Sequence, residues 1–187
     1  GSVAALCEGE VLQDECAAEH SMTLNTYLEI IHKKTASLLG VAASAGALAV
    51  GATRDRVATM RRFGESLGMA FQIQDDILDY TPSARTGKPA CNDLREGKIP
   101  LPLLAVLEHA SEALRADLLG RLARCREDEK AVESLRRTVE EEGGLAAAAK
   151  TMQGYITRAV EMLADYEDSD YRSALANLCA YIAERDR

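Results

Sequence analysis

Gln72-Ile73-Gln74-Asp75-Asp76-Ile77-Leu78-Asp79 is the stretch on which the reading of this chain turns. At about 100° per residue, with Asp75 set to zero, Asp79 falls near 40°, Gln72 near 60° and Asp76 near 100°. Met69, Ile73, Ile77 and Tyr80 fall between roughly 120° and 200°, on the adjoining arc. The segment is thus an amphipathic helix with an acidic side and an apolar side. Like charges on one turn repel, and a divalent cation held by one or two carboxylates together with phosphate oxygens relieves that repulsion. Hard oxygen ligands without neighbouring His or Cys favour Mg²⁺ over zinc or copper. The plain alternative is a solvated acidic patch that holds no metal.

Stepping back by fours, Gly68 and Gly64 fall within about 20° of Asp75, so the acidic face continues into a strip without side chains. Glycine inside a helix costs about 0.5 to 1 kcal/mol relative to alanine, which implies that something approaches closely there. A neighbouring helix would fill the space, and so would a ligand tail. On the preceding segment, Leu38, Ala42, Ala45 and Ala49 lie within about 80° of Lys34. If the two helices face each other, phosphates would lie between Lys34 and the metal, with a hydrocarbon chain between the Gly and Ala strips. Taken alone, Lys34 is equally a snorkelling lysine on a core helix.

The rest of the chain supports an all-α fold. Among 187 residues, 47% are hydrophobic, enough for one cored domain, and strand-like alternation is absent. The spacing predicts about eight helices: Val3 to Ala18, Thr23 to Val50, Arg54 to Tyr80, Leu101 to His109, Glu112 to Arg124, Asp128 to Glu142, Leu145 to Tyr166 and Asp170 to Arg185. Between Thr81 and Pro100 lies the one substantial loop, rich in Gly and Pro and carrying Arg85, Lys88, Arg95 and Lys98. A basic loop directly after an acidic helix is placed to fold over a bound anion.

The net charge of -8 weighs against nucleic acid, which requires clustered Lys and Arg. The longest apolar tract, Leu38 to Ala52, falls short of the ~20 residues that span a bilayer. Five cysteines without a C-x-x-C pair fit reduced thiols in a cytoplasmic protein. Gly1-Ser2 reads as the remnant of a cleaved expression tag.

Together these residues resemble the trans-prenyltransferase (polyprenyl diphosphate synthase) family. Phe71 to Tyr80 is similar to its second aspartate-rich motif, and His32-Lys33-Lys34-Thr35-Ala36 to its K-T-A helix. Gly87-Lys88-Pro89 with Asn92-Asp93-Leu94-Arg95-Glu96-Gly97-Lys98 resembles its post-motif loop, and Glu8-Gly9-Glu10 with Gln13 its G-E-x-x-Q helix. The resemblance implies a multi-helix bundle of the isoprenoid synthase type. It further implies that Asp75, Asp76 and Asp79 help hold Mg²⁺ on an allylic diphosphate, that Lys34, Lys88 and Lys98 contact its phosphates, and that Thr35 and Gln72 line the site. The implied reaction condenses isopentenyl diphosphate with an allylic prenyl diphosphate to lengthen a trans chain, in a homodimeric parent. Lys34, Asp75 and Asp76 are then the residues nearest the chemistry.

Two departures stand inside the match: Cys91 where the family commonly has a small residue, and Pro100 where it often has Thr or Ser. Upstream, the family's first D-D-x-x-D motif, paired-Arg segment and isopentenyl diphosphate-binding basic residues do not occur in this sequence. The expectation is therefore that residues 1 to 187 form the C-terminal portion of a single helical domain, incomplete and inactive alone. The Asn92 to Lys98 run looks more like the bacterial long-chain, octaprenyl type. Competing readings are a class I terpene cyclase fragment, a non-catalytic subunit of a heteromeric synthase, and a helical interaction protein.

Overall fold

A computed structural model of the chain describes residues 2–19, 21–81 and 90–185. Every regular element among them is helical: α1 (Ser2–Glu19), α2 (Leu24–Ile31), a π-helical turn (His32–Ala36), α3 (Ser37–Ala49), α4 (Arg54–Asp79), α5 (Asn92–Arg95), α6 (Leu101–His109), α7 (Glu112–Leu122), α8 (Glu129–Glu141), α9 (Gly144–Leu163) and α10 (Asp170–Glu184). Each helix expected from periodicity is present to within a few residues. Two features differ. The Thr23 to Val50 segment is interrupted by the π turn, and the loop after α4 contains the short α5.

Local chemistry sets most boundaries. Ser111, Asp128 and Ser169 precede α7, α8 and α10, and their side chains accept the N–H of Leu114, Lys130 and Arg172. Gly143, at φ 78°, supplies the left-handed residue that separates α8 from α9.

The helices gather into two compact units: Gly1–Glu10 with Leu28–Gln74 and Thr151–Arg185, and Val11–Tyr27 with Asp75–Lys150. In the first, Phe63, Leu67, Ile73, Met152, Ile156 and Ile182 are buried. Here α3 and α4 meet backbone to backbone. A Cβ on Gly64 would lie 2.4 Å from the Leu39 carbonyl oxygen, and one on Gly68 would lie 2.5 Å from Ala36 Cα. A Cβ on Gly40 would make the reciprocal approach, 3.0 Å from the Arg61 carbonyl oxygen. The glycine strip is therefore filled by a neighbouring helix, which overturns the expected hydrocarbon groove between it and the Ala strip. Leu38, Ala42, Ala45 and Ala49 lie on another side of α3, which is exposed among the described residues.

In the second unit Leu94, Leu103, Leu104, Leu107, Leu118, Leu122 and Leu135 are all but fully buried, each worth about 1.5 to 3 kcal/mol. Helix α6 is apolar nearly all round, as a helix enclosed by others must be. Gly144 admits it closely, since a Cβ there would meet the Pro102 carbonyl oxygen at 2.3 Å.

Candidate functional site

The first unit holds Lys34, Thr35 and Gln72. Lys34 and Thr35 sit in the π turn, where the Ser37 N–H reaches back to the His32 carbonyl. Such single π turns inside α-helices are common at functional sites because they rotate side chains out of the regular register. Thr35 Oγ1 donates to Gln72 Oε1 at 2.7 Å, joining this turn to α4. On the other side, α1 comes close because position 9 is glycine: a Cβ there would lie 2.8 Å from Lys34 Cγ. That approach brings Glu10 within 3.1 Å of Lys34 Nζ, and Glu8 within 3.6 Å of Lys33 Nζ. Lys33 also meets Glu29 at 2.8 Å, and that hydrogen bond raises its pKa. The sequence Glu8-Gly9-Glu10 is thus a device for holding two ammonium groups.

The second unit holds the acidic end of α4. Asp75 is exposed, Asp76 half-buried and Asp79 buried. Asp76 Oδ2 accepts two hydrogen bonds, from the Tyr27 hydroxyl at 2.8 Å and from the Leu101 N–H at 2.9 Å. The second satisfies the first backbone donor of α6, the Leu101 N–H, which a side chain at the N-cap, Pro100, would not reach. Burial pushes the Asp76 carboxyl up to about 7, against the pull of those two donors, with Asp93 and Asp75 adding repulsion.

Lys98 Nζ lies 2.6 Å from Glu96 and 3.4 Å from Asp93, and these partners raise its pKa despite its burial, which alone would lower it. Burial and the neighbouring Asp79 raise the Asp93 carboxyl. Cys91 occupies the other departure from the family pattern. Its φ is 61°, a region that favours glycine, and its thiol is buried and pushed up to about 12. Gly87, Lys88 and Pro89 lie outside the described residues.

Among the described residues no group of three His, Cys, Asp or Glu side chains could hold a metal ion alone. Asp75, Asp76 and Asp79 therefore do not form a protein-only cage. What α4 offers is one exposed carboxylate beside a second that is costly to charge, a donor set suited to a hard cation whose remaining ligands are phosphate oxygens and water. Sequence reasoning passed over Tyr27, a lone residue 49 positions from Asp76 with no local signal. It quoted Asp93 within the loop motif but gave it no role. A cleft in the first unit, about 1280 Å³ and lined by Ala47, Met60, Leu163, Tyr166, Leu175 and Leu178, is elsewhere. Its α4 wall begins at Arg56, sixteen residues or about 24 Å of helix before Gln72.

Residues 2–141 match the polyprenyl synthetase family model. The chain belongs to that family. It is 35% identical over 186 residues to a short chain isoprenyl diphosphate synthase from Methanothermobacter thermautotrophicus, covering 99% of this chain and 57% of the relative. It is 37% identical over 181 residues to an all-trans-nonaprenyl-diphosphate synthase (geranyl-diphosphate specific) from Rhodobacter capsulatus, covering 96% and 55%. A Caulobacter crescentus polyprenyl synthase, solved with calcium and isoprenyl diphosphate, superposes with a TM-score of 0.89 at 34% identity, covering all of this chain and 57% of that one. The chain thus spans a little over half the length of these relatives. Their names run from short-chain to nonaprenyl products. No helix among the described residues is long and apolar enough to cross a membrane.

Proposed function

We propose that this chain is the C-terminal portion of a Mg²⁺-dependent trans-polyprenyl diphosphate synthase domain, and that it supplies residues that hold an allylic diphosphate. The observation that carries the reading is the Thr35–Gln72 hydrogen bond. It ties the Lys-Thr turn to the helix that, one turn after Gln72, carries Asp75 and Asp76. Lys34 binds phosphate by exchanging its Glu10 partner for a diphosphate oxygen, while Thr35 and Gln72 orient each other. Asp75 is the exposed carboxylate for the cation, and Asp76 and Asp79 complete the acidic turn. Lys98 and Lys88 add positive charge from the loop. Bound there, Mg²⁺ supplies positive charge where negative charge develops on the departing diphosphate.

Ionisation of the allylic C–O bond, attack by the double bond of isopentenyl diphosphate and loss of a proton then lengthen the chain by one unit. The Asn92 to Lys98 run favours an octaprenyl-type product, and a homodimeric parent follows from the same resemblance. Unpaired cysteines suit a reducing cytoplasm. The test is an assay with radiolabelled isopentenyl diphosphate, an allylic diphosphate and Mg²⁺. A full-length parent should make prenyl product, lose it with EDTA and lose about 100-fold or more with Asp75→Ala. The 187-residue chain alone should make none. A parent that makes no product, or one indifferent to Asp75→Ala, refutes the reading.

A further inference from the structure

Asp79 closes α4 and is only 6% exposed, whereas Asp75, one turn earlier, is exposed. Its Oδ2 accepts the backbone N–H of Asp93 at 3.1 Å, and its own carbonyl accepts the N–H of Cys91 at 2.6 Å. One residue therefore grips the returning chain at two points. Between and around them the backbone is held in an uncommon shape, with Cys91 left-handed at φ 61° and Gly97 at φ 77°. A left-handed non-glycine residue persists only where its surroundings over-determine it, and Asp79 supplies that constraint. From Asp93 the fixing continues. Its carbonyl accepts the Lys98 N–H at 2.9 Å, and its carboxylate lies 3.4 Å from Lys98 Nζ. Arg95 adds a further tie, donating to the Ala90 carbonyl and pairing with Glu129 at 2.6 Å.

We infer that Asp79 is a positioning residue: its carboxylate clasps the Asn92–Lys98 turn to the end of α4 and so sets where the Asp93 carboxylate and the Lys98 ammonium stand. This moves Asp79 from the metal to the turn. That the turn serves a diphosphate rests on the proposed function, whereas the clasp rests on the geometry alone. Asp93 and Lys98 form an acid–base pair whose separation is fixed from both ends, by Asp79 at one and by the Lys98 N–H at the other. Asparagine at position 79 keeps an oxygen that can accept the Asp93 N–H but gives up the charge that a cation would need. Alanine gives up both, so the two variants separate a clasp from a ligand.

The experiment compares Asp79→Asn, Asp79→Ala and Asp75→Asn in this chain by two readouts. The first is amide hydrogen exchange at Asp93 and Lys98. Asp79→Ala should speed it about tenfold, as expected for loss of a part-buried hydrogen bond, while Asp79→Asn should stay within about threefold. The second is Mn²⁺ affinity in the presence of pyrophosphate. Asp75→Asn should weaken it about tenfold or more, and Asp79→Asn should leave it within about threefold. Asp79→Asn losing as much affinity as Asp75→Asn would make Asp79 a ligand and overturn the inference. Unchanged exchange at Asp93 in Asp79→Ala would overturn it as well, and Asp79→Asn alone still decides the ligand question should the alanine variant not fold. If the unaltered chain binds no Mn²⁺ with pyrophosphate, the functional reading falls, and the exchange rates by themselves decide the clasp.

Discussion

Asp76→Asn should stabilise the metal-free chain at pH 8. In the fold the Asp76 carboxyl titrates at about 7, against 3.8 for an ordinary aspartate, because burial and neighbouring carboxylates disfavour its charge. A carboxyl whose folded value is raised contributes stability that is fully present below 3.8 and lost as pH rises through about 7. The full separation corresponds to a ceiling of about 4 kcal/mol. Asp76 is only half-buried, so solvent screens much of that penalty and about 1 to 2 kcal/mol is the working figure. Asparagine keeps an oxygen that can accept from Tyr27 and Leu101 and removes the titration. Thermal melts in EDTA at pH 5 and pH 8 should therefore show the unaltered chain losing stability between the two. Asp76→Asn should lose less and melt about 2 to 8 °C higher at pH 8, at about 2 to 4 °C per kcal/mol for a chain of this size. Asp93, raised in the same direction, keeps some slope in both proteins. An Asp76→Asn variant that melts no higher than the unaltered chain at pH 8, or that keeps its full pH dependence, refutes the argument.

Gly68→Ala forces a Cβ to 2.5 Å from Ala36 Cα, and should cost about 1 to 3 kcal/mol in a urea melt. Gly154→Ala, with nothing within 4 Å, should instead be neutral or gain about 0.5 to 1 kcal/mol. Equal effects would contradict the close helix contact. Thr35→Val leaves Gln72 Oε1 without the Thr35 donor, and should cost about 1 kcal/mol on chemical denaturation while weakening pyrophosphate binding measured by calorimetry. With a thiol reagent at pH 8 the native chain should release one fast equivalent, from exposed Cys7, because the other four cysteines are buried and Cys91 is held near 12. Two or more fast equivalents would count against the burial described.

The helices were legible because their signals are local: a 3.6-residue apolar period, a Ser or Asp before α7, α8 and α10, and Gly143 between α8 and α9. The π turn was not. His32 to Ala36 contains ordinary helix residues, and the turn falls where Ala36 packs against Gly68, from a helix later in the chain. Propensity within a window carries no information about such a contact. The glycine strip shows the same limit from the other side. A row of positions without side chains announces close approach but not what approaches, and both a lipid and a helix backbone satisfy it.

The wheel places Asp75, Asp76 and Asp79 on one arc because it sees only angle, and angle says nothing of what each carboxylate meets. What distinguishes them arrives from distant sequence. Leu101 and Tyr27 reach Asp76, Asp93 reaches Asp79, and Asp75 stays exposed. The Leu101 N–H is the first donor of α6 and lies beyond the reach of any side chain at the N-cap, so its acceptor must come from elsewhere in the fold. An orphaned N–H at Leu101 and a surplus of carboxylates on α4 are two halves of one requirement, and their pairing follows from hydrogen-bond accounting. The departure from the family pattern at position 100 leaves that demand on Asp76 unchanged, because no N-cap side chain meets it. A Ser at position 100 would reach the Leu103 N–H and not that of Leu101, so Pro100→Ser should leave the stability cost of Asp76→Ala unchanged, and a coupling above about 0.5 kcal/mol in the double-variant cycle would refute that account.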